Sequence, residues 1–117
     1  MLASFLNDIR DGDQIVPKRL AARLRIPMTQ LSKLAHLNRN TMAERPESSA
    51  VQKSLGGIAA IISRVAAITG DEGAAIIWFK YQPIVGFGGK TAEELVQDGH
   101  ADAVMWHIDS VENGGVA

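Results

Sequence analysis

A chain of 117 residues has room for one compact domain or two very small ones, and 46% of its residues are apolar and 21% charged. It contains no cysteine, so disulfides, thiol nucleophiles and cysteine-ligated metals are excluded. Its net charge of −1 is unevenly distributed, because residues 1–46 carry eight Lys and Arg against four Asp and Glu (+4), and residues 47–117 carry four against nine (−5). A basic region followed by an acidic one predicts a polyanion-binding part joined to a part with a different partner.

The start of the chain does not have the form of a signal peptide. Residues 1–6 lack a basic flank and are soon followed by Asp8 and Arg10. The longest uninterrupted apolar run, residues 58–62, is too short to cross a bilayer. We therefore expect a cytoplasmic protein.

Helical periodicity organises residues 16–46. Apolar residues recur at spacings of three and four (Val16, Leu20, Leu24, then Leu31 and Leu34). Pro17 suits the first position of a helix, and Pro27 breaks the pattern after Ile26. A second short helix is predicted from Met28 to Ala35, and a third within residues 38–45 before Pro46 stops it.

A longer helix is predicted after Pro46. Ser48 or Ser49 can cap it, and Gly70 ends it. Its apolar stripe comprises Val51, Leu55, Ile58, Ile61 or Ile62, Val65 and Ile68. Gly56 and Gly57 lie inside this helix and each costs roughly 0.8–1.0 kcal/mol relative to Ala. We expect that cost to be offset by close contact with another helix, within the monomer or across a dimer.

The remaining helices are indicated by their caps. Asp71 can cap a helix that contains Trp78, and residues 82–90, with a proline and three glycines, form a loop. Residues 91–94 have the form of a capping box, and a final helix follows over residues 101–112. Residues 114–117 are expected to be flexible. No stretch alternates with period two long enough to require a strand, so the predicted fold is all-α, with a helix-turn-helix region over residues 1–46 and a helical domain over residues 47–117.

Two registers fit a helix-turn-helix, with Arg25 or His36 at the turn position that is often glycine. The second register is preferred because its recognition segment is richer in polar side chains. In that register Arg39 can contact guanine and Asn38 and Asn40 can contact adenine, whereas Lys33, Thr41 and Arg45 can hold phosphates. A three-helix packing unit without DNA contact is the alternative.

Other functions find little support in the sequence. The glycines before Lys90 and Thr91 do not match a P-loop, because the required first glycine is Ile84 and no strand precedes it. His100 and His107 are too far apart along a helix to share one zinc ion. We expect no catalytic residues, no metal, no cofactor and no enzymatic activity.

Most of the aromatic residues lie in the C-terminal part: Trp78, Phe79, Tyr81, Phe87 and Trp106. Core packing is the first expectation for each of them. Phe79 and Phe87 are the stronger candidates for exposure, because Phe79 flanks the apolar stripe of its helix and Phe87 lies on a glycine loop. Exposed aromatic residues in a cluster would indicate a protein-binding surface.

The C-terminal half resembles the Xre/MbcA/ParS toxin-binding domain. The similarity rests on Trp78-Phe79, Pro83, the run from Phe87 to Leu95, Gly99, Val104 and Gly114-Gly115. Residues 31–42 and Arg45 resemble the companion region of these antitoxins, so the similarity covers roughly residues 16–117. Ala92 stands where the family often has proline, and it preserves the start of the helix.

The resemblance implies a dimeric, helical antitoxin of a type II toxin-antitoxin system. Such a protein neutralises a RES-domain toxin that acts on NAD and represses its own operon. The toxin-binding residues implied here are Trp78, Phe79, Phe87, Gly88, Thr91, Gly114, Gly115, Val116 and Ala117, of which the last four lie near the toxin's active site. The alternative hypotheses are a stand-alone transcriptional regulator without a cognate toxin and a helical adaptor that does not contact DNA.

Overall fold

The computed structural model describes residues 2–114. Eight helices and one small hairpin follow in the order α1 (Leu2–Asp8), β1 (Arg10–Asp11), β2 (Gln14–Ile15), α2 (Pro17–Leu24), α3 (Met28–Ala35), α4 (Arg39–Glu44), α5 (Ser49–Thr69), α6 (Glu72–Tyr81), α7 (Ala92–Gln97) and α8 (Ala101–Glu112). The fold is all-α, as predicted.

The expectation that the chain contains no strand is wrong at one place. β1 and β2 form an antiparallel hairpin of two residues each, and Gly12 adopts a positive φ of 63° in its turn. The side chain of Gln52 on α5 holds this hairpin, because its Oε1 accepts from the Ile15 amide at 2.8 Å and its Nε2 donates to the Ile15 carbonyl at 2.9 Å. Phe5 and Ile9 bury their side chains beside it.

Helices α2, α3 and α4 form the basic N-terminal region. Pro17 occupies the first turn of α2, and α3 covers the predicted residues. Helices α2 and α3 end at Arg25 and His36, which adopt the left-handed conformation with φ of 56° and 57°. Both predicted turn positions therefore have the backbone geometry that glycine usually provides, and among the described residues they are the only non-glycine residues with positive φ.

Helix α5 is the central element, and α1, α2, α3, α6 and α8 pack around it. The Ser48 side chain caps its first turn by accepting from the Val51 amide, and Gly70 ends it with φ 77°. Its stripe is buried as predicted except for Ile68, which lies in the last turn and is 43% exposed. Residues 49–69 are long and apolar enough to cross a membrane by length and composition alone, a test that core helices also pass.

Gly56 and Gly57 are not in close contact with another part of the chain. Apart from its chain neighbours and the nearby backbone of α5, a Cβ atom built on either residue would meet no atom of the described chain within 4 Å. The expectation of close helix contact within the monomer is therefore wrong, and the possibility of contact across a dimer stays a prediction.

Helices α6 and α8 pack against α5, and α7 packs against α6 and α8. Asp71 caps α6 by accepting from the Gly73 amide. The buried side chains of the N-terminal and C-terminal regions form one continuous hydrophobic core. Whether the chain divides functionally after residue 46 stays a prediction.

Candidate functional site

The polar residues predicted to contact DNA lie on α3, α4 and the turns around them. Lys33, Asn38, Arg39, Asn40 and Arg45 are exposed. Met42 is buried and anchors the six-residue α4, whereas Thr41 is half-buried. None of the three cations in this group forms an ion pair within residues 2–114, so their charges remain available to an anionic ligand.

Asn38 has a structural role that the sequence reasoning did not assign to it. Its Oδ1 accepts from the Asn40 amide at 2.7 Å and caps α4. A bidentate contact to adenine needs both the oxygen and the amide nitrogen of an asparagine. Asn38 would have to break this cap to read adenine, so the exposed side chain of Asn40 is better suited to that contact.

Polar contacts join the basic region to the C-terminal helices. Arg23 on α2 forms ion pairs with Asp8 and with Glu72 on α6. These carboxylates also raise the pKa of Arg23, first through the hydrogen bond to Asp8 and then through that to Glu72. Lys80 Nζ donates to the carbonyl oxygen of Leu24 at 3.0 Å, at the C-terminus of α2.

A second pair of contacts joins α3 to α7. Gln30 donates to Gln97 through their side-chain amides at 2.9 Å, and His36 Nε2 lies 3.0 Å from the Val96 carbonyl oxygen. Helices α2 and α3 are therefore joined to α6 and α7 by side-chain hydrogen bonds.

The structure corrects the expected positions of the aromatic side chains. Phe79 is 0% exposed, so the expectation of its exposure is wrong: it shares the core face of α6 with Ala75. Tyr81 and Trp106 are 67% and 65% exposed, so core packing is wrong for both. Trp106 points away from the face of α8 that carries the buried Val104.

Trp78 and Phe87 take intermediate positions. Both are half-buried and pack against the core. The Trp78 ring lies nearly parallel to that of His107, with centroids 6.4 Å apart. Both side chains are partly accessible to solvent, and their contact with a toxin stays a prediction.

Thr91 forms the capping box at the start of α7. Its Oγ1 accepts from the Glu94 amide at 3.2 Å, and its own amide donates to Glu94 Oε1 at 2.9 Å. The residue is buried and also pairs with Pro83 across the base of the 82–90 loop. Its role visible in the fold is to start α7, which the sequence reasoning also predicted. A direct toxin contact through its hydroxyl stays a prediction.

The loop before Thr91 is held at its C-terminal end by charge. Lys90 forms an ion pair with Asp98, and this hydrogen bond lowers the pKa of the Asp98 carboxyl. Gly88 is exposed and has φ 65°. An L side chain at this position would be strained, so the turn favours glycine.

Of the tail predicted to contact the toxin, Gly114 alone lies within the described residues. It is exposed, has φ 70°, and donates its amide to the Val111 carbonyl oxygen at 3.2 Å. Gly115, Val116 and Ala117 lie outside the described residues. Gly114 therefore fixes where the tail leaves α8.

These features define a mostly helical protein that joins a basic surface on α3 and α4 to C-terminal helices with exposed apolar side chains. Residues 64–114 match the family model described as the antitoxin Xre/MbcA/ParS C-terminal toxin-binding domain. The match covers 51 of the 117 residues, and it supports an antitoxin role in a toxin-antitoxin system. The family is typically non-enzymatic. Comparisons with curated proteins and with solved structures found no match.

Proposed function

We propose that the protein neutralises a RES-type, NAD-consuming toxin by binding it directly. The observation that carries this proposal is the toxin-binding domain at residues 64–114, since a domain of this kind requires a toxin partner. The tail leaves α8 at Gly114, next to exposed apolar residues of the same domain. Residues 114–117 then occlude the toxin's active site, and inhibition needs no chemistry by the antitoxin.

Co-expression tests this part of the proposal. The RES-domain protein encoded beside this gene should deplete cellular NAD and stop growth when expressed alone, and the full chain should restore both. Deleting residues 114–117 should reduce rescue while leaving the melting temperature unchanged. Failure of the full chain to restore NAD, or the lack of any RES-domain neighbour, would contradict the proposal.

The same protein represses its own operon through α3 and α4. This part is supported by the exposed, unpaired Arg39 and Arg45 and by the side chain of Asn40 at the start of α4. The protein acts as a cytoplasmic homodimer, in which two copies place their recognition helices about 34 Å apart on DNA. Gly56 and Gly57 support the dimer, because their small size serves no contact within one copy.

A gel-shift experiment with the operon's promoter at two salt concentrations tests DNA binding. Affinity should fall steeply with salt, and Arg39→Ala should cost about 1–3 kcal/mol of specific binding. Arg10→Ala, which removes an exposed arginine on β1, serves as the control and should have a smaller effect. Equal losses for both variants would contradict specific readout by Arg39. Promoter binding by a chain that has no toxin partner would instead identify a stand-alone regulator.

A further inference from the structure

An apolar groove lies at the end of the molecule where the tail begins. It has a volume of about 120 Å³ and is lined by Val65, Ile68, Trp78, His107, Ile108 and Val111, which come from α5, α6 and α8. We call it the α5–α8 groove. Ile68 and Val111 at its rim are 43% and 47% exposed.

The α5–α8 groove belongs wholly to the toxin-binding domain, because all six of these residues fall within positions 64–114. Four other surface cavities of the described chain each include residues from the N-terminal half, such as Arg23, Leu34, Val16 and Leu6. Among the five cavities described, this groove is therefore the one that a partner can contact through the toxin-binding domain alone.

Polar contacts hold the walls of the groove together. Arg64 on α5 forms ion pairs with Asp109, at 2.7 Å, and with Glu112, and these hold the last turns of α8 against α5. The Thr69 hydroxyl, also at the groove, donates to the Val65 carbonyl oxygen at 3.0 Å. These contacts hold α5 and α8, two walls of the groove, in place.

The volume of the α5–α8 groove and its position beside the tail indicate what can bind in it. Ligand pockets for small molecules usually measure about 300–1,000 Å³, so this groove suits a single side chain instead. The Gly114 amide donates a hydrogen bond to the carbonyl oxygen of Val111, which lines the groove. Four residues span at most about 14 Å, so a toxin touched by residues 114–117 must lie over this end of the molecule.

We propose that the α5–α8 groove receives an apolar side chain from the surface of the toxin and anchors the toxin while the tail occludes its active site. This inference rests on the proposed function. The groove provides affinity for the toxin, and the tail inhibits the toxin's activity. Ile68, Val111 and His107 were not predicted as binding residues from the sequence.

The test measures binding of the purified full chain to the purified RES-domain protein encoded beside its gene by calorimetry. Ile68→Lys and Val111→Lys place a charge at the rim and should each weaken binding tenfold or more. Ile77→Lys is the matched control, since Ile77 is 61% exposed on α6 and lines the cleft toward α2. It should change the affinity less than threefold. If a lysine variant fails to fold, Ile68→Ala provides the same comparison with a smaller loss.

Three results would overturn the inference. If both rim variants bind the toxin with wild-type affinity and deletion of residues 114–117 abolishes inhibition, the groove does not bind the toxin. The proposed antitoxin function would be unaffected by that result. A change from dimer to monomer in Ile68→Lys with unaltered toxin affinity would show that a second copy fills the groove. No binding by the unmodified chain would instead contradict the proposed function itself.

Discussion

Replacing Phe79 by alanine tests whether this side chain stabilises the core or contacts the toxin. The side chain is 0% exposed, so the substitution removes a fully buried ring and leaves a cavity. Such changes cost about 3–5 kcal/mol. With an unfolding entropy of about 2.1 cal/mol/K per residue, 117 residues give about 0.25 kcal/mol/K. The melting temperature should therefore fall by about 12–20 °C.

The assay is thermal unfolding followed by circular dichroism, with toxin affinity measured well below the transition. Trp106→Ala is the matched control, because this aromatic side chain is 65% exposed. Its stability should change by less than about 0.5 kcal/mol, or about 2 °C. A Phe79→Ala variant that melts within about 4 °C of the unmodified protein yet loses toxin binding would refute the core assignment.

Three further predictions concern Thr91, Lys80 and Glu93. Thr91→Val removes the hydroxyl that accepts from the Glu94 amide and should cost about 0.5–2 kcal/mol in urea unfolding; an unchanged midpoint would contradict the capping role. Lys80→Met removes the donor to the Leu24 carbonyl and should lower stability by about 1 kcal/mol and speed amide exchange at the end of α2; unchanged exchange there would contradict the link between the two regions. Burial raises the pKa of Glu93 despite the nearby Lys80. The ionised carboxylate is therefore less favourable in the folded than in the unfolded chain, and the protein loses stability as the pH rises through the raised pKa. Glu93→Gln should therefore be more stable than the unmodified protein at neutral pH, with the gain vanishing near about pH 3; a gain of equal size at both pH values would contradict this cause.

The domain family and the residues that carry it were readable from the sequence. The predicted similarity to the Xre/MbcA/ParS toxin-binding domain is confirmed over residues 64–114. The binding roles of single residues stay predictions. Among them, Phe79 occupies the core and the oxygen of Asn38 serves as a cap, so any contact they make must compete with those roles.

Helix boundaries were largely determined by the sequence itself. Ser48 caps α5, Asp71 caps α6 and Thr91 caps α7, as predicted. Capping is a contact between residues two or three positions apart, and the chain encodes it without reference to the rest of the fold. Arg25 and His36, the turn positions of the two alternative registers, both end a helix in the left-handed conformation.

The orientation of each helix was decided only by the tertiary structure. Helix α6 carries apolar or aromatic residues at almost every position from 75 to 81, so its periodicity does not distinguish the buried Phe79 from the exposed Tyr81. That choice depends on the surfaces that α5 and α7 present to it. The two-residue strands are likewise too short to produce a pattern. The Lys80 contact joins atoms 56 residues apart, and the α5–α8 groove exists only because three helices meet.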